Sequence, residues 1–371
     1  MRSALFSPLS LREITLANRL VVSPMCQYSA REGSASDWHL MHLGQFCVSG
    51  PGLVIVEATA VEPRGRISYG DLGLYSDDNE AALRRIVGFC REYGESKLGL
   101  QLAHAGRKAS DHLPWENPDR PLEPSEGAWT TVGPSEIRYG DGWPAPQALD
   151  LAGLQALKEA FVQATQRAAR LGFDLVELHA AHGYLLHEFL SPLSNERTDD
   201  YGGSRENRMR FPLEVFEAMR EAWPAAKPLG VRISATDYAE GGWDLADSLV
   251  FAGELKDRGC DYIDVSGGGL VPYQRIPLGP GYQVSHAAHI RQAVGMVTMA
   301  VGMINQPRQA EEIIASGQAD LVALARGMLY DPRWTWHAAE ALGVDLEYPP
   351  QYRRCHPARW PQAFPHRQAV E

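Results

Sequence analysis

Four side chains that can donate or accept a proton fall within nine positions: His179, His182, Tyr184 and His187, in the stretch ELHAAHGYLLHEFLSP that begins at Glu177. Two imidazoles three residues apart can bind a metal or donate to one oxygen, and one helical turn would bring them to the same side. A tyrosine next to them can act as a general acid. Zinc or iron would need further His, Cys or carboxylate ligands nearby. The neighbouring strand ends instead supply Met25-Cys26, Ala60, Gln101 and Arg232, and an arginine beside a cation is unfavourable. No metal is expected. The spacing therefore points to donors aimed at a substrate oxygen, with His187 packing or hydrogen-bonding in the following turn.

Other polar residues stand where apolar ones are expected. Arg232 lies inside GVRISA, and burying its charge is costly without a partner. Gln101 lies inside LGLQLAH and offers donor and acceptor on one planar edge. Gly302 ends one apolar run and Ala325-Arg326 ends the next. A glycine permits close backbone approach, and an arginine adds a charge-assisted contact to phosphate. This set suits a phosphorylated, flat cofactor with a polar edge, and flavin mononucleotide (FMN) fits. A Gly-x-Gly-x-x-Gly after a strand and a Walker loop are both absent, and GGG at 267–269 completes neither.

These residues must be held by something regular. Eight short runs rich in Val, Ile and Leu recur at 19–25, 53–60, 97–104, 173–180, 229–235, 261–267, 296–302 and 319–326. Their lack of alternation predicts strands buried on both faces. Amphipathic segments between them predict helices, among them 150–172, which stops at Gly172. Repeated strand–helix units predict a single (β/α)₈ TIM barrel, whose chemistry sits at the C-terminal strand ends. In such barrels the loops after strands seven and eight, here Gly302 and Arg326, often hold phosphate. A long loop at 105–150 follows the third strand, and a tail rich in Pro, Arg and aromatics occupies 344–371 after a barrel spanning 1–343.

The composition excludes several functions. The net charge of −11, with no Lys/Arg run longer than two, argues against nucleic acid and anionic membrane as partners. The five widely spaced cysteines contain no Cys-x-x-Cys, so a reduced cytoplasmic protein is expected. Cys47, Cys90 and Cys260 are read as inert buried thiols. The first twenty residues lack the apolar core of a signal peptide.

Five stretches together resemble the Old Yellow Enzyme family of flavin-dependent ene-reductases, in its bacterial thermophilic-like branch with a cysteine beside the flavin. They are VVSPMCQYSA (21–30), VIVEATAVEPRGRIS (54–68), QLAHAGRKA (101–109), HAAHGYLLHEFLSPLSNERTDDYGGSRENRMRF (179–211) and ADLVALAR (319–326). The resemblance implies non-covalent FMN, reduced by NADPH or NADH, and activated alkenes such as enones and maleimides as substrates, with nitro compounds a further class. It implies that Ser23, Pro24, Met25 and Cys26 line the flavin, that Ala60, Gln101 and Arg232 contact its ring, and that Gly302, Ala325 and Arg326 hold its phosphate. Tyr28, His179, His182 and Tyr184 would face the substrate. The histidines would stabilise charge developing on its oxygen, and Tyr184 would protonate the α-carbon. A homodimer or homotetramer is implied, with Arg354 of QYRR reaching a neighbouring site. The tail continues past that motif, and Ala325 stands where glycine is common in the family.

Overall fold

The computed structural model describes residues 3–117 and 120–363. Strands β1 (Leu20–Val22), β2 (Leu53–Ala60), β3 (Lys97–Ala103), β4 (Leu175–Ala180), β5 (Leu229–Ser234), β6 (Tyr262–Ser266), β7 (Val297–Ala300) and β8 (Leu321–Leu324) close into one barrel. Each is parallel to its neighbours, and β8 returns to β1 through Val322 beside Leu20 and Leu324 beside Val22. Each predicted apolar run holds one strand. The inner face is filled by Val21, Leu53, Ile55, Leu175, Tyr262, Met299, Leu321 and Ala323. The other face of the strands packs against the helices in a larger cluster.

Helices α1 (Asp37–Cys47), α2 (Asp77–Tyr93), α3 (Leu151–Leu171), α4 (Leu185–Leu190), α5 (Arg205–Ala222), α6 (Leu245–Asp257), α7 (Val284–Val294) and α8 (Pro307–Ala315) lie between strands. Several carry the expected caps: Ser76 accepts from the N–H of Asn79, Asp150 from Gly153, Ser204 from Asn207 and Asp244 from Asp247. Gly172 closes α3 at φ +86°, the left-handed conformation that glycine adopts without a Cβ penalty. Two short helices, α9 (Arg326–Tyr330) and α10 (Trp334–Ala341), follow β8. Among the described residues no helix is long and apolar enough to cross a membrane.

A hairpin not evident in the sequence, Leu9–Leu11 with Ile14–Leu16, adds Leu11 and Leu16 to the inner cluster and closes that end of the barrel. The long segment after β3 does lie over the opposite end. Buried Arg107 ties it down by donating to Leu270 O at 2.7 Å and Ile137 O at 3.2 Å. The Trp115 ring meets Tyr28 edge-on at 6.0 Å. The tail returns along α10, where Tyr348 stacks on Trp336 at 4.0 Å between centroids. Arg354 lies exposed in a 3₁₀ turn, Pro350–Cys355. The end of the tail, 364–371, lies outside the described residues.

Candidate active site

The histidines of the opening stretch separate into two kinds. His187 is buried; its Nδ1 accepts the N–H of Gly183 at 2.9 Å, so Nε2 carries the proton and meets Asp237 at 2.7 Å. His39 follows the same rule, with Nδ1 taking the N–H of Ser36 and Nε2 on Glu57 at 3.1 Å. So does His104, whose Nδ1 accepts from Gly106 and whose Nε2 meets Glu62 at 2.9 Å. His179 breaks it. Its Nδ1 accepts from the N–H of Ala181 at 3.3 Å, but among the described residues no carboxylate meets Nε2. The His179 ring instead packs against the rings of His182 and Tyr184, each 5.1 Å away between centroids and almost perpendicular.

These three residues converge by a different route from the helical turn expected. His179 is on β4, directly across from Arg232 on β5. His182 follows in a turn with φ +59°, uncommon for a residue with a side chain. Its N–H donates to Ser234 Oγ at 2.9 Å, and its Nε2 lies 2.7 Å from Ser266 Oγ. Gly183 allows the turn to cross the loop after β6, since a Cβ there would come 2.2 Å from Gly269 O. Only then does α4 begin. Burial and the nearby Arg232 hold both imidazoles well below the usual histidine range, so they stay neutral. Burial, Cys26 and Tyr28 push the Tyr184 phenol well above its ordinary value, so it remains protonated. The Lys108 ammonium lies over the Tyr184 ring at 5.1 Å and donates to His182 O and Gly269 O, both at 3.0 Å.

Beside this group a cavity of about 390 Å³ is lined by Arg232, Ser266, Tyr282, Gln283, Gly302, Ala325 and Arg326. Gly302 has φ +122°, and a Cβ there would press on the Tyr282 ring at 2.9 Å. Ala325 has φ −107°, outside the left-handed region that favours glycine. Among the described residues, the Oε1 of buried Gln283 has no hydrogen-bond partner. The cavity thus joins one guanidinium at the barrel wall to a second, exposed one beyond β8. That donor set fits a flavin phosphate at Arg326 and a flavin ring at Arg232.

The remaining predicted ring contacts stand nearby. Arg232 donates to Ser23 Oγ at 3.3 Å and pairs through Nε with Asp264 at 3.2 Å. Gln101 gives its amide N–H to Glu177 on the next strand at 2.8 Å. Ala60 lines one small hollow with Tyr184 and Asp71. The Pro24-Met25-Cys26 segment leaves the end of β1 partly buried, and Gln27 anchors it by donating its N–H to Glu57 at 2.8 Å.

Sequence reasoning missed the carboxylates. Glu57, Glu177 and Asp264 each interrupt an apolar run as Arg232 does, and the same reasoning could have found them. Asp71 carried no such signal. Among the described residues, Cys26, Glu57 and Asp71 form a group whose potential ligand atoms lie within 4.8 Å of one another, and the histidines of the stretch are not part of it.

A closed parallel barrel with this cavity and these donors defines a flavin-dependent oxidoreductase. The chain belongs to the NADH:flavin oxidoreductase / NADH oxidase family, whose profile matches residues 4–344. It is 45% identical over 356 residues to an NADPH dehydrogenase of Geobacillus thermodenitrificans, covering 95% of this chain and 99% of that protein. It is 43% identical to an NADPH dehydrogenase of Bacillus subtilis, again over 95% of this chain and 99% of the relative. The structure of morphinone reductase in complex with tetrahydroNAD superposes with a TM-score of 0.75 at 28% identity, covering 94% of this chain and 93% of that one. The Old Yellow Enzyme resemblance is therefore borne out, and with it FMN as cofactor and a nicotinamide dinucleotide as reductant.

Proposed function

We propose that this enzyme uses NADPH to reduce carbon–carbon double bonds conjugated to a carbonyl, with enones and maleimides as typical substrates and nitro compounds a further class. The observation that carries this reading is His179, whose ring packs against His182 and Tyr184 and whose Nε2, among the described residues, meets no carboxylate. A flavin held by Arg232 and Arg326 would supply the hydride. The protein supplies the rest. His179 and His182 donate to the substrate oxygen as negative charge grows on it, and as neutral donors they need not lose a proton to do so. Tyr184 delivers its proton to the α-carbon as general acid. The Lys108 ammonium over its ring favours the phenolate left behind. Tyr28, held at φ +50° and capped by Trp115, bounds the substrate space.

The functional unit in this reading is a barrel, 1–343, with the tail, 344–371, at a subunit interface of a homodimer or homotetramer. Arg354 would then serve a neighbouring copy's mouth. Its exposure in this chain supports that role.

The purified protein should be yellow. NADPH added without oxygen should bleach it, and cyclohexenone should restore the colour with formation of cyclohexanone. Recovery with quinone or oxygen but not with any enone, maleimide or nitroalkene would overturn the reading.

A further inference from the structure

Cys26 lies beside the hollow shared by Ala60 and Tyr184, yet its surroundings disfavour a thiolate. Sγ, one oxygen of Glu57 and one of Asp71 lie within 4.8 Å of one another. Glu57 is already engaged, accepting from Gln27 N at 2.8 Å and facing His39 Nε2 at 3.1 Å. Asp71 is only 1% exposed, and its Oδ2 accepts from Ser68 Oγ at 2.7 Å and from the Ser68 N–H. Its Oδ1 is buried and, among the described residues, has no hydrogen-bond partner. Cys26 Sγ, the third member of the trio, stands within 4.8 Å of both carboxylates.

The backbone holds Asp71 in place. Ala30 N donates to Gly70 O and Ala60 N to Leu72 O, both at 2.8 Å, so residues 70–72 are pinned between the Cys26 segment and the end of β2. A side chain on Gly70 would collide with Tyr28 O at 2.5 Å. Two phenols also bear on the thiol, Tyr28 from its own segment and Tyr184 from the loop after β4, and Asp111 bears on both phenols; the backbone N–H of Ala58 acts the other way and favours the thiolate. The cation of the neighbouring loop, Arg66, is directed at the Trp129 ring and Glu32. Burial together with Asp71 and Glu57 pushes the Cys26 thiol well above its ordinary range.

Resting on the ene-reductase reading, this arrangement has a chemical purpose. Conjugated alkenes are also electrophiles for sulfur. A thiolate adds to the β-carbon of a maleimide, forming the S–C bond while the π pair moves onto the carbonyl oxygen. A proton then reaches the α-carbon, and the thiol is lost as a thioether. The thiolate, not the thiol, is the reactive form. We propose that Asp71, supported by Glu57, is a positioning residue that keeps Cys26 protonated and so protects it from the alkenes admitted to the same mouth.

The test uses the flavin-loaded enzyme without nicotinamide, incubated with N-ethylmaleimide, with modification of Cys26 followed by peptide mass spectrometry. Asp71→Asn should raise the Cys26 rate by about tenfold or more at pH 8, since each unit drop in thiol pKa multiplies the thiolate fraction tenfold. The infrared S–H band, assigned with Cys26→Ser, should persist to about pH 9 in the wild type and fade at lower pH in Asp71→Asn. This readout does not depend on access to the thiol. If Asp71→Asn fails to retain flavin, Glu57→Gln should shift both readouts in the same direction. Equal Cys26 rates and an unchanged S–H band in the variant would overturn the proposal. A protected thiol in an enzyme that reduces no alkene would refute the functional reading alone.

Discussion

Inside the barrel the phenol of Tyr262 donates to Glu177 at 3.2 Å, so a carboxyl group is held in the layer just below the histidines. Burial and the neighbouring Asp264 raise Glu177 to about 8, against the relief offered by Arg232, Gln101 and Tyr262. The folded state therefore keeps a proton that the unfolded chain releases near pH 4.3. Stability from this group is fully present below about pH 4.3 and is lost as pH rises toward 8.

Glu177→Gln should remove that loss. The wild-type decline between pH 5 and 8 should flatten by up to about 1.4 kcal/mol per pH unit, the share of one proton. Glu188, raised to about 8, and Asp71, raised to about 7, contribute with the same sign and should leave a residual slope. Urea midpoints across this range read the difference, and parallel curves for the two proteins would place the proton elsewhere.

Tyr184→Phe should separate the two halves of the catalytic cycle. Anaerobic bleaching by NADPH needs no proton from Tyr184 and should run near the wild-type rate. Recovery of colour with cyclohexenone should slow, by roughly 10²–10⁴-fold if general acid catalysis is lost in full. Recovery with quinone should survive. Stopped-flow traces with cyclohexenone that match the wild type would rule out Tyr184 as the acid.

His179→Ala combined with His182→Ala should weaken binding of phenols, which present an oxyanion like the developing enolate. The readout is loss of the long-wavelength charge-transfer band in a phenol titration. Because both imidazoles are held neutral by burial, the wild-type affinity should show no histidine titration between pH 6 and 8 beyond that of the phenol itself. Unchanged titrations in the double variant would remove the pair from oxygen binding.

Arg354→Ala should alter substrate kinetics while leaving the barrel's own cavity intact. In mixed dimers with a second, site-inactivated subunit, activity should depend on which chain carries the arginine. A dimeric variant with wild-type kinetics would show that the extended tail has moved this residue away from the neighbouring mouth.

The barrel could be read because each strand is buried on both faces, and an apolar run such as LVIVEATA announces itself without periodicity. The N-terminal hairpin could not, since two three-residue strands carry too little pattern. The histidine pair was legible as a pair, but its geometry was not. Three-residue spacing suggests a helical turn, whereas the chain places His182 in the left-handed region, held there by Ser234 and the crossing at Gly269. Such a conformation costs of order 1–3 kcal/mol and persists only when surrounding contacts enforce it. Those contacts come from residues more than fifty positions away. The Cys26, Glu57 and Asp71 group was hidden for the same reason: only folding brings together three segments that nothing local connects.

The crossing of Gly183 and Gly269 also divides the mouth into parts that tolerate change differently. A Cβ on Gly269 would come 2.5 Å from the His182 backbone, so neither loop can gain a side chain there without moving His182. Trp115, 63% exposed on the long segment after β3, touches Tyr28 from the solvent side and has room to vary. A search for new substrate scope should diversify Trp115 and its neighbours and leave the glycine crossing untouched, so that the shape of the entrance changes while the reaction geometry stays.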